Sequence, residues 1–250
     1  MKVNVYGING EITGEVTLPP PFEDHYRPDI IKKAVTVIHH NARQPYGADP
    51  TAGRKQAVAS WRPGRGVSRI PRLTQGRRGA FAPGTVGGRR AHPPKAEKNY
   101  HRAINKKEMK IARNSALAAL ANKELVIQRG HKFNEKLSLP IIVEKKIENI
   151  EKTKEVIKFL DTIGVGTDIQ RAKNGKHIRA GKGKRRGRKY KMPKSLLLIV
   201  ANKEKIEKAA RNLAGVTIIT PSEINVEHLA PGGQSARLSM FTTTALEALK

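Results

Sequence analysis

Apolar positions along the chain follow two periods, interrupted twice. Val3 and Val5 alternate with polar neighbours in VNVYG, which predicts a strand over residues 3–7. From Pro28 the spacing of Ile30, Ile31, Ala34, Val35 and Ile38 is that of one helix face, with Pro28 and Asp29 suited to its first turn. A second helix is predicted from Asn105, whose side chain can cap it, along the stripe Met109, Ala112, Ala116, Ala119 and Leu120 to about Ala121. LPIIVEK (residues 139–145) is a short apolar run. It precedes a helix with Val156, Ile157, Leu160 and Ile163 on one side and Gly164 as its stop. SLLLIVAN (195–202) ends in a capping Asn202, followed by a helix through Ile206, Ala209, Ala210 and Leu213 and by VTIIT (216–220); a C-terminal helix is expected over about 242–249. Runs that are apolar on both faces and alternate with helices predict an α/β body, an open, mainly parallel sheet covered by helices.

The interruptions are two basic stretches. Residues 43–102 hold nine glycines and seven prolines, show no helical period, and show no alternation that would mark paired strands. They carry 14 Lys and Arg, 11 of them Arg, against Asp49 and Glu97 alone; residues 171–191 carry 11 Lys and Arg and no acid. These two stretches hold most of the formal charge of +28, and the rest of the chain is nearly balanced. A solvated helix face is the ordinary source of a charge run, but glycine and proline at this density exclude a helix. A connection longer than about 12–15 residues without its own structure is usually functional or disordered. Arginine in excess of lysine favours forked phosphate contacts and stacking on bases. Tyr46, Trp61, Phe81 and Tyr100 are interleaved with those arginines and could stack on unpaired bases; local packing is the alternative for each ring.

A charge of +28 repels itself unless a polyanion offsets it, so nucleic acid is the first candidate partner. No run of 18 apolar residues, signal peptide or lipidation motif points to a membrane, and a chain without cysteine has neither disulfides nor a zinc ribbon. No phosphate-binding G-x-x-x-x-G-K-[ST] occurs. GKGKRRG (181–187) lacks a preceding strand and does not open a helix, the eight histidines have no metal-ligand spacing, and Glu144, Glu148, Glu151 and Glu155 alternate with lysines like a solvated helix face. No active site is expected.

SWRPGRGVSRIPR (60–72), GAFAPGTVGGRRAHPP (79–94), INKKEMKIARNSALAALA (104–121), IRAGKGKRRGRKY (178–190), KAARNLAGV (208–216) and NVEHLAPGG (225–233) resemble, in this order, the large-subunit ribosomal protein L-four family in its archaeal and eukaryotic form. The stretch at 171–191 is similar to that branch, and a chain without a long tail after Lys250 suits its archaeal-sized members. The resemblance implies a globular α/β body (1–45 and 103–250) carrying the 171–191 insert, and an extended loop (46–102) threaded into 23S-type rRNA. It implies early binding in subunit assembly and a loop tip that lines the nascent-polypeptide exit tunnel beside ribosomal protein L-twenty-two.

Carried onto this chain, the rRNA contacts would come from Arg43, Arg54, Lys55, Trp61, Arg62, Arg65, Arg69, Arg72, Arg77, Arg78, Arg89, Arg90 and Arg102 of the loop. Lys106 and Lys107 would add to them at the following helix, as would Arg179, Lys182, Lys184, Arg185, Arg186, Arg188 and Lys189 of the insert. The tip would comprise Gly64, Arg65, Gly66, Arg69, Arg72, Gly76, Arg77, Arg78 and Gly79. The implied partners are large-subunit rRNA, neighbouring ribosomal proteins and the nascent polypeptide, in the cytoplasm. No membrane, homo-oligomer or cofactor is implied beyond structural Mg or monovalent ions of the rRNA. An RNA-modifying enzyme would need a glycine-rich turn leading from a strand into a helix, and the turn at Gly7–Gly10 leads into none. A regulatory RNA binder acting off the ribosome is the third reading.

Overall fold

In the computed structural model, which describes residues 1–249, strands and helices alternate along most of the chain. The elements are β1 (Lys2–Tyr6), β2 (Ile12–Thr17), α1 (Pro28–Asn41), β3 (Val58–Ser60), β4 (Pro71–Leu73), α2 (Lys106–Ala121), α3 (Lys123–Gln128), β5 (Ile141–Val143), α4 (Thr153–Ile163), α5 (Gly166–Asn174), β6 (His177–Ile178), β7 (Tyr190–Lys191), β8 (Leu197–Ile199), α6 (Glu204–Ala210), β9 (Thr217–Ile219), α7 (Val226–Leu229), β10 (Ser239–Thr242) and α8 (Thr243–Glu247). They fall into two compact units, Met1–His39 with Ala103–Lys250, and His40–Arg102.

The first unit is built on a six-stranded sheet in the order β2-β1-β5-β10-β8-β9, parallel except for the β1–β2 pair. Strands β5, β10 and β8 are buried at every residue, because alternate side chains feed two separate cores. Ile142, Leu197, Ile199 and Phe241 pack with α1, α2, α7 and α8; Ile141, Val143, Leu198 and Met240 pack with α4 and α6 on the other face. Helix α2 begins where Asn105 Oδ1 accepts the Lys107 N–H at 3.0 Å, and its alanines 112 and 116 are fully buried. Helix α4 stops at Gly164, whose φ of 90° is one that glycine adopts without strain.

Several expectations need correction. Ile157 lies outward on α4, and Phe159 takes the inner position with Val156, Leu160 and Ile163. The cap expected at Asn202 is present, its Oδ1 accepting the Glu204 N–H at 3.0 Å. Residues 239–242 form a central strand, and the last helix starts only after it, with Thr242 Oγ1 accepting the Ala245 N–H at 3.3 Å. The carboxylates 144, 148, 151 and 155 do not share a helix face. A 3-10 turn over Lys145–Asn149 buries Glu148, which accepts from the Ala201 and Asn202 amides at 2.9 and 3.3 Å.

Two other buried charges hold the first unit. Arg237, fully buried, donates to the carbonyls of Ser195, Leu196, Gly215 and His228 and to Thr217 Oγ1, and burial with Arg129 nearby pulls its guanidinium down to about 9, still charged at neutral pH. Asp168 joins His131 Nδ1 at 3.0 Å to Arg171 Nε at 2.7 Å. Arg171, counted with the basic insert, also reaches the Lys194 carbonyl and so belongs to the body.

In the second unit β3 and β4 pair antiparallel, Val58 with Leu73 and Ser60 with Pro71. The chain folds back once more, with the Leu73 N–H on Arg78 O at 3.0 Å and the Ala80 N–H on Pro71 O at 2.9 Å, which buries Ala80. This overturns the expectation that the stretch has no paired strands. Strands of three residues are too short to show a period, and the turns at Gly64, Gly66 and Gly76, with φ of 90°, 66° and 102°, are made by glycine. Likewise β6 and β7 pair, His177 with Lys191 and Ile178 with Tyr190. GKGKRRG therefore follows a two-residue strand after all, but it forms the hairpin's turn, with one 3-10 turn over Lys182–Arg185 and no α-helix.

Candidate nucleic-acid interface

The second unit contains two carboxylates, Asp49 and Glu97, and 11 of the chain's 21 arginines. Arg102 and Asn41 close it: the Asn41 amide donates to Arg102 O at 3.1 Å and accepts from the Arg102 N–H at 2.8 Å. Within it Trp61, Phe81 and Tyr100 already carry cations. Arg65 and Arg72 lie 5.3 and 5.4 Å from the centre of Trp61, Arg54 lies 5.9 Å from Phe81, and Arg43 lies 4.6 Å from Tyr100, which Lys98 also approaches at 5.7 Å. Such pairs orient a guanidinium parallel to an apolar plane and leave its outer edge free for an anion. Tyr46 and Tyr100 line one open cleft with Arg90, His92 and Lys98.

The predicted arginines divide into holders and free groups. Arg72 is half-buried and donates to Arg77 O at 2.5 Å and to Ser68 Oγ at 3.1 Å, which fixes the arc between them; its Nε is buried without a partner. Arg78 donates to Val86 O at 3.1 Å, and Arg89 is half-buried beside Phe81. Lys55 pairs with Asp49 at 2.9 Å, and its hydrogen bond, with those from Thr51, holds that carboxyl below its ordinary range. Arg62, Arg65, Arg69, Arg77 and Arg90 are exposed and pair with no carboxylate among the described residues. At the tip Gly64, Gly66 and Gly76 have open space where a side chain would stand, whereas a Cβ on Gly79 would lie 2.5 Å from Ile70 Cδ1.

The β6–β7 hairpin is a second cationic surface. Arg179 ties its two sides, its N–H on Lys189 O at 2.8 Å and its Nε on Arg188 O at 3.2 Å. Between them the turn with φ of 74° at Gly181 and 77° at Gly187 exposes Lys182, Lys184, Arg185, Arg186 and Arg188. Sequence reasoning missed Tyr190, which is exposed with Lys176 at 4.5 Å and Lys189 at 5.5 Å from its ring; a tyrosine inside a basic run was the available signal. Lys106 and Lys107 are exposed in the first turn of α2.

Exposed cations with rings beside them, and no clustered acid–base pair among them, make a surface for binding a polyanion. Residues 16–250 match the ribosomal protein L4/L1 family. The chain belongs to that family. It is 49% identical over 250 residues to "Large ribosomal subunit protein uL4" of Methanocaldococcus jannaschii, covering all of this chain and 98% of the relative. The protein of the same name from Thermoplasma acidophilum is 47% identical over 249 residues, covering all of this chain and 97% of the relative; that from Methanosphaera stadtmanae is 46% identical over 248 residues, 99% and 96% of the two chains. Members of the family are structural ribosomal proteins and not enzymes. Among the described residues no helix is long and apolar enough to cross a membrane.

Proposed function

We propose that this protein is a structural component of the large ribosomal subunit, bound to its 23S-type rRNA by the His40–Arg102 unit and the β6–β7 hairpin. The observation that carries the reading is the separation of charge: two glycine-rich surfaces whose exposed arginines and lysines, Lys55 apart, have no carboxylate partner among the described residues, on a body that is nearly neutral. Phosphates neutralise such groups with release of counterions, and the rings of Trp61, Tyr100 and Tyr190 add stacking surface for unpaired bases. Among the described residues of the second unit only Ala80 is buried, so the energy that orders it completely comes from RNA.

In this reading the protein joins the rRNA early in assembly, in the cytoplasm, and its tip around Gly64–Gly79 lines the nascent-polypeptide tunnel beside ribosomal protein L-twenty-two. Its partners are rRNA, neighbouring ribosomal proteins and the passing chain. The ions involved are those of the rRNA, and no membrane or second copy takes part. Cosedimentation with large subunits through high salt tests the subunit assignment, and photo-crosslinks from Arg69 and Arg185 positions test the two surfaces. Recovery of the protein free of subunits, or crosslinks to protein alone at both positions, would overturn it.

A further inference from the structure

Strand β2 ends one side of the sheet, and one row of its backbone groups is open. The Leu18 N–H donates to Met1 O at 3.0 Å, and antiparallel pairing alternates from there: Val16 and Gly14 bond toward Val3 and Val5, while the N–H and C=O groups of Glu15 and Thr17 point away from β1. The irregularity of the pair sits at its other end, between Val5 and Tyr6, so residues 14–17 keep a regular edge. All of β2 except Val16 is exposed, and Ile12 is 61% exposed. The opposite edge strand, β9, is half covered.

Charge selects the occupant. Residues 1–26 hold Glu11, Glu15, Glu23 and Asp24 against Lys2 alone among lysines and arginines, in a chain of net charge +28. This edge repels phosphate. It also repels a second copy of itself, since like charges placed opposite in a ladder are destabilising. Sheet edges are commonly protected by lysine; an edge that bears glutamate in a lysine-rich chain is closed to polyanions and open to a basic strand. We propose that β2 accepts a basic, extended segment of another protein as a seventh strand, with main-chain bonds from Glu15 and Thr17 and with Glu11 and Glu15 meeting its lysines or arginines. The proposal rests on the subunit reading, because the assembled particle is where such a neighbour is met.

Two arms test it. A ten-residue peptide of alternating lysine and valine is added to the full-length protein, and amide exchange at Glu15 and Thr17 is read by NMR. At least tenfold slowing is expected. That slowing should vanish with the same peptide N-methylated at alternate residues, and the affinity should fall at least tenfold in the Glu11→Lys, Glu15→Lys double variant, whose positions are both exposed. In native large subunits, a photo-crosslinker at Thr13 should mark a Lys/Arg-rich protein segment. No slowing, slowing that survives N-methylation, or crosslinks that go to rRNA, to a second copy of this chain or to nothing would each overturn the proposal. Absence of the protein from large subunits would instead overturn the subunit reading, and the peptide arm would still decide the edge.

Discussion

The Thr242 hydroxyl donates to Glu148 Oε1 at 2.6 Å, joining the end of the central strand β10 to the turn that follows β5, 94 residues earlier. Thr244 Oγ1 reaches the same oxygen at 3.1 Å, and the Ala201 amide at 2.9 Å. The carboxylate therefore sits outside the C-terminal ends of the parallel strands, the crevice in which open α/β sheets hold ligands, and its oxygens are taken up by the chain itself. Removing it with Glu148→Ala strands several buried donors. A loss of about 1–3 kcal/mol is expected, read as a lower urea midpoint, with a smaller loss for Glu148→Gln. An unchanged midpoint would show the network to be dispensable.

Arg237 links the start of β8 to the start of β9 through carbonyls and the Thr217 hydroxyl, without a carboxylate. Arg237→Met should cost on the order of 2 kcal/mol because those carbonyls lose their donors. Arg237→Lys should recover little, since one ammonium cannot span the positions reached by the planar fork. Thermal unfolding of the three proteins checks the order; equal stability of the lysine variant and the parent would contradict it.

Burial pulls the His131 imidazole below its ordinary value. Burial alone would raise the Asp168 carboxyl, yet hydrogen bonds from His131 and Arg171 hold it low. Both groups bind fewer protons when folded than when unfolded, so stability is full above pH ~6.5 and falls as pH drops, through the imidazole first and through the carboxyl below ~3.9. Denaturant midpoints measured from pH 7.5 to 5 should decline, and His131→Gln should flatten that part of the curve. A midpoint that rises on acidification would contradict the assignment.

Replacing Lys182, Lys184, Arg185, Arg186 and Arg188 by alanine should weaken rRNA binding and reduce the slope of log K against log salt by up to several units, roughly 0.9 for each duplex phosphate that is no longer neutralised. The circular dichroism of the body should stay the same, because these side chains are exposed and none is part of either core. A slope unaltered by removal of five charges would place the phosphate-binding groups elsewhere.

Deleting residues 64–88 removes β4 and with it the β3–β4 pairing, but leaves every core residue of the first unit in place. Subunits carrying the deletion should still assemble, with altered stalling by arrest peptides and altered binding of tunnel-directed antibiotics. Normal stalling and drug response in assembled particles would remove the tip from the tunnel, and failure to assemble would assign the loop chiefly to rRNA folding.

Periodicity alone revealed α1, α2, α4 and α6 and the apolar strands β1, β5, β8 and β9, because each has enough residues, or enough apolar ones, to show which faces it buries. The partition of charge located both basic surfaces, since a lack of acids is a property of the chain and not of its packing. Strand β10 was invisible: SMFT is polar at both ends, and it is a strand because β5 and β8 flank it, a pairing made across distant segments. The burial of Glu148, the separation of Arg171 from the basic insert and the pairing of β3 with β4 have the same origin. In each case the decisive partner is a donor, an acceptor or a strand brought near by folding, and whether a polar group is buried depends on whether folding supplies that partner.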